Sequence, residues 1–261
     1  MSTTSFTGEI ARLQRANAES HDNVVRQSKV LAALNLRTRE RVLEVGCGGG
    51  YCTSDAARFV GPMGRVCAID ISPDQVMAAQ QRCAEFAWVE CRNADIASAP
   101  YGDAQFDAVF AVQVLEYVAD LDAGLSQIHR ILRPGGRLVA VATDWSSAVW
   151  HSENPSRMQR VLSAFAPHIP CRDLPSILAA RLRRAGIKPL RQTAIPVVNT
   201  SYNSASFGYW VARVIRSFVV SRQSLTDQEA AEWFDEFAKL EEKGAYFFCL
   251  TPVLTEALKA G

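Results

Sequence analysis

The sequence predicts an α/β fold: a mostly parallel sheet covered by helices on both faces. Three observations predict it. Short apolar runs, five to seven residues long, alternate with longer segments of helical spacing. Each run is apolar on successive residues, the mark of a strand buried on both faces. Glycine and proline clusters punctuate the junctions.

The elements follow in order. Ile10 to Leu36 has helical character, with Val24, Val25, Lys29, Val30, Leu31 and Leu34 on a partly apolar face. Arg41 to Val45 is a buried strand that stops at glycines. Thr53 to Val60 is a helix ended by Gly61, Pro62 and Gly64. Arg65 to Ile69 is a strand, and Pro73 to Phe86 a helix with Ser72 as its N-cap. Trp88 to Arg92 and Phe106 to Val112 are strands. Leu121 to Leu132 is a helix, and Arg137 to Ala142 a strand. Strands alternating with helices in this way build parallel sheets. After Asp144 the rhythm changes, and Trp145, Trp150, Phe165, Phe207, Tyr209 and Trp210 crowd a less regular region. Leu174 to Ala185 is helical. Lys188 to Val198 and Ala245 to Leu250 are extended, and the stretch from Ser206 to Lys243 between them is helical. These read as two last strands of the same sheet with a helical insertion.

Composition narrows the function classes. The chain has 261 residues, 48% of them hydrophobic, and a formal charge of +1. That size fits one large domain, and the near-neutral charge argues against non-specific binding to nucleic acid. Arg181, Arg183 and Arg184 read as a solvated helix face. No run reaches the roughly 18 apolar residues of a membrane span, and the N-terminal segment lacks a secretory pattern. Seven scattered cysteines form no CxxC pair and no metal-ligand spacing with the four histidines, so no metal is expected. Reduced thiols in a cytoplasmic protein are the expectation.

The chemistry concentrates at Val42 to Gly50, VLEVGCGGG, an ExGxGxG turn directly after a strand. Glycines let the chain turn sharply and let a ligand approach the backbone at the carboxyl edge of the sheet. Asp70 closes the second strand about 20 residues beyond, where an acid accepts hydrogen bonds from ribose hydroxyls. Asp95 is placed to accept from an adenine amino group, with Ile96 available to cover the ring. Gln113-Val-Leu-Glu-Tyr117 follows the fourth strand. A nicotinamide dehydrogenase prefers GxGxxG, and Tyr51 stands here where its third glycine belongs.

Taken together, Glu44 to Gly50, Asp70, Ala94 to Ile96, Phe106 to Val109, Gln113 to Glu116 and Leu132 to Gly136 resemble the successive motifs of the class I S-adenosylmethionine-dependent methyltransferases. The nearest pattern is that of the ubiquinone and menaquinone methyltransferases and similar small-molecule enzymes. The resemblance covers Arg41 to Thr143. It implies a Rossmann-like, seven-stranded sheet of order 3-2-1-4-5-7-6, with strand seven antiparallel, and S-adenosyl-L-methionine as cofactor. It also implies that Glu44, Gly46, Cys47 and Gly48 hold the methionine part, Asp70 the ribose, Ile71, Asp95 and Ile96 the adenine, and that Gln113 faces the sulfonium. Many relatives carry His where this chain has Tyr117, so an obvious general base is missing.

The expected organisation is an N-terminal helical cover (1–38), a cofactor-binding core (39–144), and remaining strands with a helical lid at about 200–243 (145–261), in one compact domain. Gln27 in the cover is a candidate for the cofactor carboxylate. Acceptor residues should follow strands four and five. Asp144 or His151 is a candidate base, or His151 an ordinary polar residue. Tyr117, Trp145, Trp150, Tyr202, Tyr209 and Tyr246, with Phe207, either line an aromatic pocket or pack the core. The apolar bias points to a small, partly hydrophobic or aromatic acceptor methylated on oxygen or nitrogen, with carbon open. A protein or RNA methyltransferase would carry a basic surface or a (N/D)PPY-type motif after strand four; Gln113 to Glu116 occupies that place. A non-catalytic scaffold would show an eroded glycine loop. The partner expected is a small molecule, with no nucleic acid and no membrane, the chain being a monomer or homodimer.

Overall fold

The computed structural model describes residues 7–220 and 225–260. Residues 1–6 of the expected cover and 221–224 of the expected insertion lie outside them. Two helices, α1 (Gly8–Ala18) and α2 (His21–Leu34), replace the single N-terminal helix expected, with the break at Glu19 and Ser20. The chain leaves α2 through Asn35 in the left-handed region, a conformation asparagine tolerates.

Four strands then alternate with helices: β1 (Arg41–Val45), α3 (Tyr51–Val60), β2 (Arg65–Asp70), α4 (Pro73–Arg82), β3 (Val89–Asn93), β4 (Phe106–Val112) and α5 (Leu121–Ile131). β5 (Leu132–Trp150) is far longer than the Arg137 to Ala142 expected. After it come α6 (Pro155–Phe165), α7 (Leu174–Arg184), β6 (Ile187–Ala194), β7 (Val197–Asn199), α8 (Phe207–Val219), α9 (Asp227–Glu242) and β8 (Phe248–Lys259). The sheet order is β3-β2-β1-β4-β5-β8-β6, parallel up to β5, with β8 antiparallel to both neighbours. This is the implied 3-2-1-4-5-7-6 arrangement with one addition, the short β7 on β8. Pro196 explains the addition. It has no N–H for the ladder and splits the expected Lys188 to Val198 strand in two.

Alternation along β4 builds both faces. Val109 and Ala111 pack with Leu125, Ile128, Leu178 and Leu182 of α5 and α7. Ala108 and Phe110 pack with Val30, Leu34, Ala56 and Val60 of α2 and α3. The third core is different. The lid helices α6, α8 and α9 enclose Phe165, Phe207, Ile215, Trp233 and Phe237 against Trp150 and Phe248 at the far ends of β5 and β8. α6 was not expected, although Met158, Val161 and Phe165 form its buried stripe and Asn154 caps it. The expected Ser206 to Lys243 helix divides into α8 and α9, the second starting in a capping box between Thr226 and Glu229.

Arg137 ties the N-terminal helices to the sheet. Its guanidinium grips both carboxylate oxygens of Glu40, at 2.9 and 2.7 Å, and donates to the carbonyls of Leu34 and Asn35 at the end of α2. Burial pushes the Glu40 carboxyl up, but the hydrogen bonds from Arg137 and the Arg37 N–H outweigh it and hold the group below its usual range. The stabilisation is therefore present above the ordinary carboxylate range and lost as pH falls through the lowered value. Arg137→Met should cost about 2 kcal/mol near neutral pH and much less near pH 3, read from urea denaturation at the two pH values.

Candidate cofactor and acceptor site

The loop after β1 is built on two close approaches. Gly46 has φ +69°, and a Cβ there would sit 2.2 Å from Cγ2 of Val114, in the turn after β4. Only glycine fits. Gly48, φ +49°, has nothing within 4 Å of its Cβ direction, so the loop backbone stands open on that side. Asp70 at the end of β2 accepts from the Gly48 N–H at 2.9 Å and from the Ser72 N–H at 2.9 Å. Burial raises its carboxyl, and those N–H groups work against the rise. Ile71 beside it is 58% exposed, an apolar surface with nothing over it. Asp95 is exposed and caps a 3-10 turn through the Ala97 N–H. Ile96 is buried against Gly124 in the core, which leaves Ile71 as the side chain available to a ring.

Glu44 and Cys47 are both buried. Glu44 is buried and accepts from the Thr53 hydroxyl, locking β1 to the first turn of α3. Cys47 packs with Val76, Ala79 and Cys91.

The turn after β4 carries the other half of the site. Gln113 has φ +55°, rare for a residue with a side chain, and its amide donates to the Thr143 hydroxyl at 2.7 Å. Glu116 is fully buried. One carboxylate oxygen accepts from the Thr143 N–H at 3.1 Å, and the other has no partner. Burial pushes its pKa up to about 7, with Arg26 pulling the other way.

Arg26 is a candidate site residue that sequence reasoning missed. It lies on the buried face of α2, 5% exposed, with Asn23, Val30 and Leu34. Its Nε and Nη1 have no hydrogen-bond partner. Desolvation lowers its pKa to about 10, opposed by Cys52 at the start of α3, by Glu116 and by Asp22. The guanidinium thus lies between the glycine-loop helix and the turn after β4. Buried polar groups are rarely left unpaired. Neighbouring Gln27, the expected carboxylate contact, instead donates to the Ala18 carbonyl at 3.2 Å.

The other expected residues divide. Tyr117 is half-buried against His168, and Trp145 packs edge-on to Phe165 with an indole N–H that has no partner. Both border the lid core. Asp144 accepts from the N–H and hydroxyl of Ser146 and shapes the bulge at 145–148, which the structure does not pair with β8. His151 lies beyond the end of β5. Six residues of β8 separate the partner of Val141, at the sheet edge, from the partner of Trp150, roughly 20 Å of strand. The structure does not bring His151 to the glycine loop; it lines a shallow hollow with Val149, Pro155 and Phe247. Trp150, Tyr202 and Tyr246 are packing residues: Trp150 donates to the Tyr246 hydroxyl at 3.1 Å and stacks on Phe237, and Tyr202 contacts Tyr209, Phe237 and Tyr246. Tyr209 is covered by the Arg213 guanidinium.

An open glycine loop, a strand-end acid and a crossover between β1 and β4 lie together at the carboxyl edge of the sheet, the arrangement expected of a class I methyltransferase. Residues 43–140 match the family described as "Methyltransferase domain", and this segment is of the class I S-adenosylmethionine-dependent methyltransferase kind. An O-methyltransferase of Penicillium expansum is 34% identical over 164 residues, 60% of this chain and 55% of that protein. A demethylmenaquinone methyltransferase of Tropheryma whipplei is 38% identical over 108 residues, 41% of this chain and 43% of that one. The chain thus spans about half the length of these curated relatives. A crystal structure from Bacillus halodurans C-125, of a protein itself assigned to the methyltransferases by inference, superposes with a TM-score of 0.66 at 19% identity, over 90% of this chain and 99% of the other. It shares the fold. Among the described residues, no helix is long and apolar enough to cross a membrane.

Two outcomes follow from this packing. Trp150→Ala should cost about 3–5 kcal/mol in denaturant unfolding yet leave cofactor affinity, measured by calorimetry, within about twofold. A folded-state acid raised to about 7 costs stability as pH climbs from its ordinary value of 4.5. Glu116→Gln should therefore match the parent near pH 5 and exceed it near pH 8, by roughly 3 kcal/mol in chemical denaturation.

Proposed function

We propose that this protein binds S-adenosylmethionine across the carboxyl ends of β1, β2 and β4 and transfers its methyl group to oxygen or nitrogen of a small, partly apolar metabolite. The observation that carries the reading is the unpaired, buried Arg26 guanidinium between the open glycine loop and the turn after β4. A carboxylate is what such a guanidinium accepts, and the methionine end of the cofactor has one. Gly48 leaves room for the backbone approach, Asp70 retains acceptor capacity for ribose hydroxyls, and Ile71 offers an apolar face to the adenine.

When bound, S-adenosylmethionine supplies a methyl group on a sulfonium, already a good leaving group. The protein's task is then to align the acceptor and exclude water. α6, α8 and α9 roof the carboxyl ends of β4 and β5 with aromatic side chains, and Tyr117 and Trp145 lie at that boundary. The free indole N–H of Trp145 supplies one donor under an apolar roof. Such a chamber suits an acceptor with an apolar body and a polar handle. The names of the O-methyltransferase and demethylmenaquinone methyltransferase relatives agree with a small acceptor. A cytoplasmic location and a monomer or homodimer fit this reading.

Isothermal titration should give saturable binding of S-adenosylmethionine. Gly48→Arg should abolish it, and Arg26→Met should weaken it by roughly 10- to 100-fold, the worth of a charged hydrogen-bonded contact. An unchanged dissociation constant in Arg26→Met would remove the carboxylate assignment. Incubating the protein with labelled cofactor and a metabolite extract should then transfer label to a small molecule and none to protein or RNA.

A further inference from the structure

We propose that the open oxygen of Glu116 faces the sulfonium, so that the protein holds the charged methyl donor and lets go of the neutral demethylated product. This rests on the cofactor reading above and adds the source of discrimination between S-adenosylmethionine and S-adenosylhomocysteine.

The geometry is asymmetric. One Glu116 oxygen is fixed by the Thr143 backbone N–H, so the carboxylate cannot swing freely. The other oxygen is buried and has no partner. A purely structural carboxylate in this place would pair both oxygens, because an unpaired buried acceptor is costly. The turn that carries it leaves β4 three residues earlier, at Gln113, next to the end of β5.

The surrounding charges set what that oxygen can accept. From α2, Arg26 acts on Glu116 without a direct hydrogen bond. From its own turn comes Tyr117, with His168 against that ring. From the segment after α6 comes Cys171, whose N–H donates to the Glu116 carbonyl. From β5 comes Thr143. Asp22 and Cys52 lie on the Arg26 side. Arg26 is the cation among the groups that bear on Glu116. Once a ligand carboxylate takes Arg26, Glu116 needs another positive charge or a proton. The sulfonium supplies the charge. The thioether left after methyl transfer does not, so Glu116 then takes up a proton. Its raised pKa, about 7, puts this exchange within reach of ordinary pH. Binding of the sulfonium form favours ionised Glu116 and strengthens as pH rises. Binding of the thioether form favours protonated Glu116 and strengthens as pH falls.

The test is calorimetric, on the full chain, with S-adenosylmethionine and S-adenosylhomocysteine at pH 6 and pH 8. The amino and carboxyl groups shared by the two ligands cancel in the ratio of their dissociation constants. Unit charges a few ångström apart at an effective dielectric constant of about 20 shift that ratio by roughly tenfold or more. The expected result is that the product binds relatively about tenfold more weakly at pH 8 than at pH 6. Near pH 7, titration in two buffers of different ionisation enthalpy should show, for Glu116, proton uptake with the product and proton release with the donor, read as the difference between the two ligands. In Glu116→Gln the ratio should not vary with pH. A flat ratio in the parent, with both ligands bound, overturns the proposal, and so does a pH-dependent ratio that survives in Glu116→Gln. If neither ligand binds, the cofactor reading fails, and this inference fails with it.

Discussion

The contact between Gly46 and Val114 sets the rest of the site. With a Cβ at residue 46 the two loops could not approach, since it would overlap the Val114 side chain at 2.2 Å. Because they do approach, the turn after β1 and the turn after β4 form one rigid rim at the crossover of the sheet. That rim fixes where Gln113 bends through its left-handed conformation and where Glu116 drops into the interior. It also fixes where α3 begins, and so where Arg26 of α2 meets the loop. The strain at Gln113 is held by its amide bond to Thr143 and by its N–H to the Val141 carbonyl. Strain of this kind persists only where the surroundings over-determine it.

Buried charge is the second constraint. Arg26, Glu44 and Glu116 are each almost wholly removed from water, yet they are treated differently. Glu44 has Thr53 as partner and serves packing of β1 on α3. Arg26 and Glu116 keep unpaired atoms. Burial of a charged group without full pairing costs several kcal/mol, so a fold whose only concern was stability would have paired or replaced them. The two act on each other without a direct hydrogen bond, and the proposed cofactor carries charges of both signs to complement them.

The sheet and the cofactor loop were legible because their signals are local. Five apolar runs, three glycines and Asp70 each report on their own few residues, and the strand order follows from the family pattern. The lid was less legible. β5 runs on to Trp150 because β8 pairs with it from Arg137 to Asp144 and again at Val149 and Trp150, a contact between segments far apart in sequence. α6 hid behind aromatic residues on either side. Arg26 did leave a signal: an arginine in the series Asn23, Arg26, Val30 and Leu34 sits on the apolar side of an amphipathic helix. Composition cannot tell a buried arginine from a solvated one, and only the packing of α2 under Phe207 and against α3 does so. His151 shows the converse. Its nearness in sequence to Asp144 suggested nearness in space, but an extended chain carries successive residues apart.

The lid core favours the packing reading for several of the aromatic residues. Trp150, Tyr202, Tyr246 and Phe237 spend their surfaces on one another, with Trp233 and Phe248 completing the cluster. A cluster so well packed holds the roof as a solid body. Tyr117, after β4, and Trp145, in β5, are partly buried against this cluster and border it on the side of the sheet. On the proposed reading, acceptor choice follows from the height of the roof and from the free Trp145 indole N–H beneath it, so a change of substrate requires moving the lid helices and leaves the cofactor rim untouched.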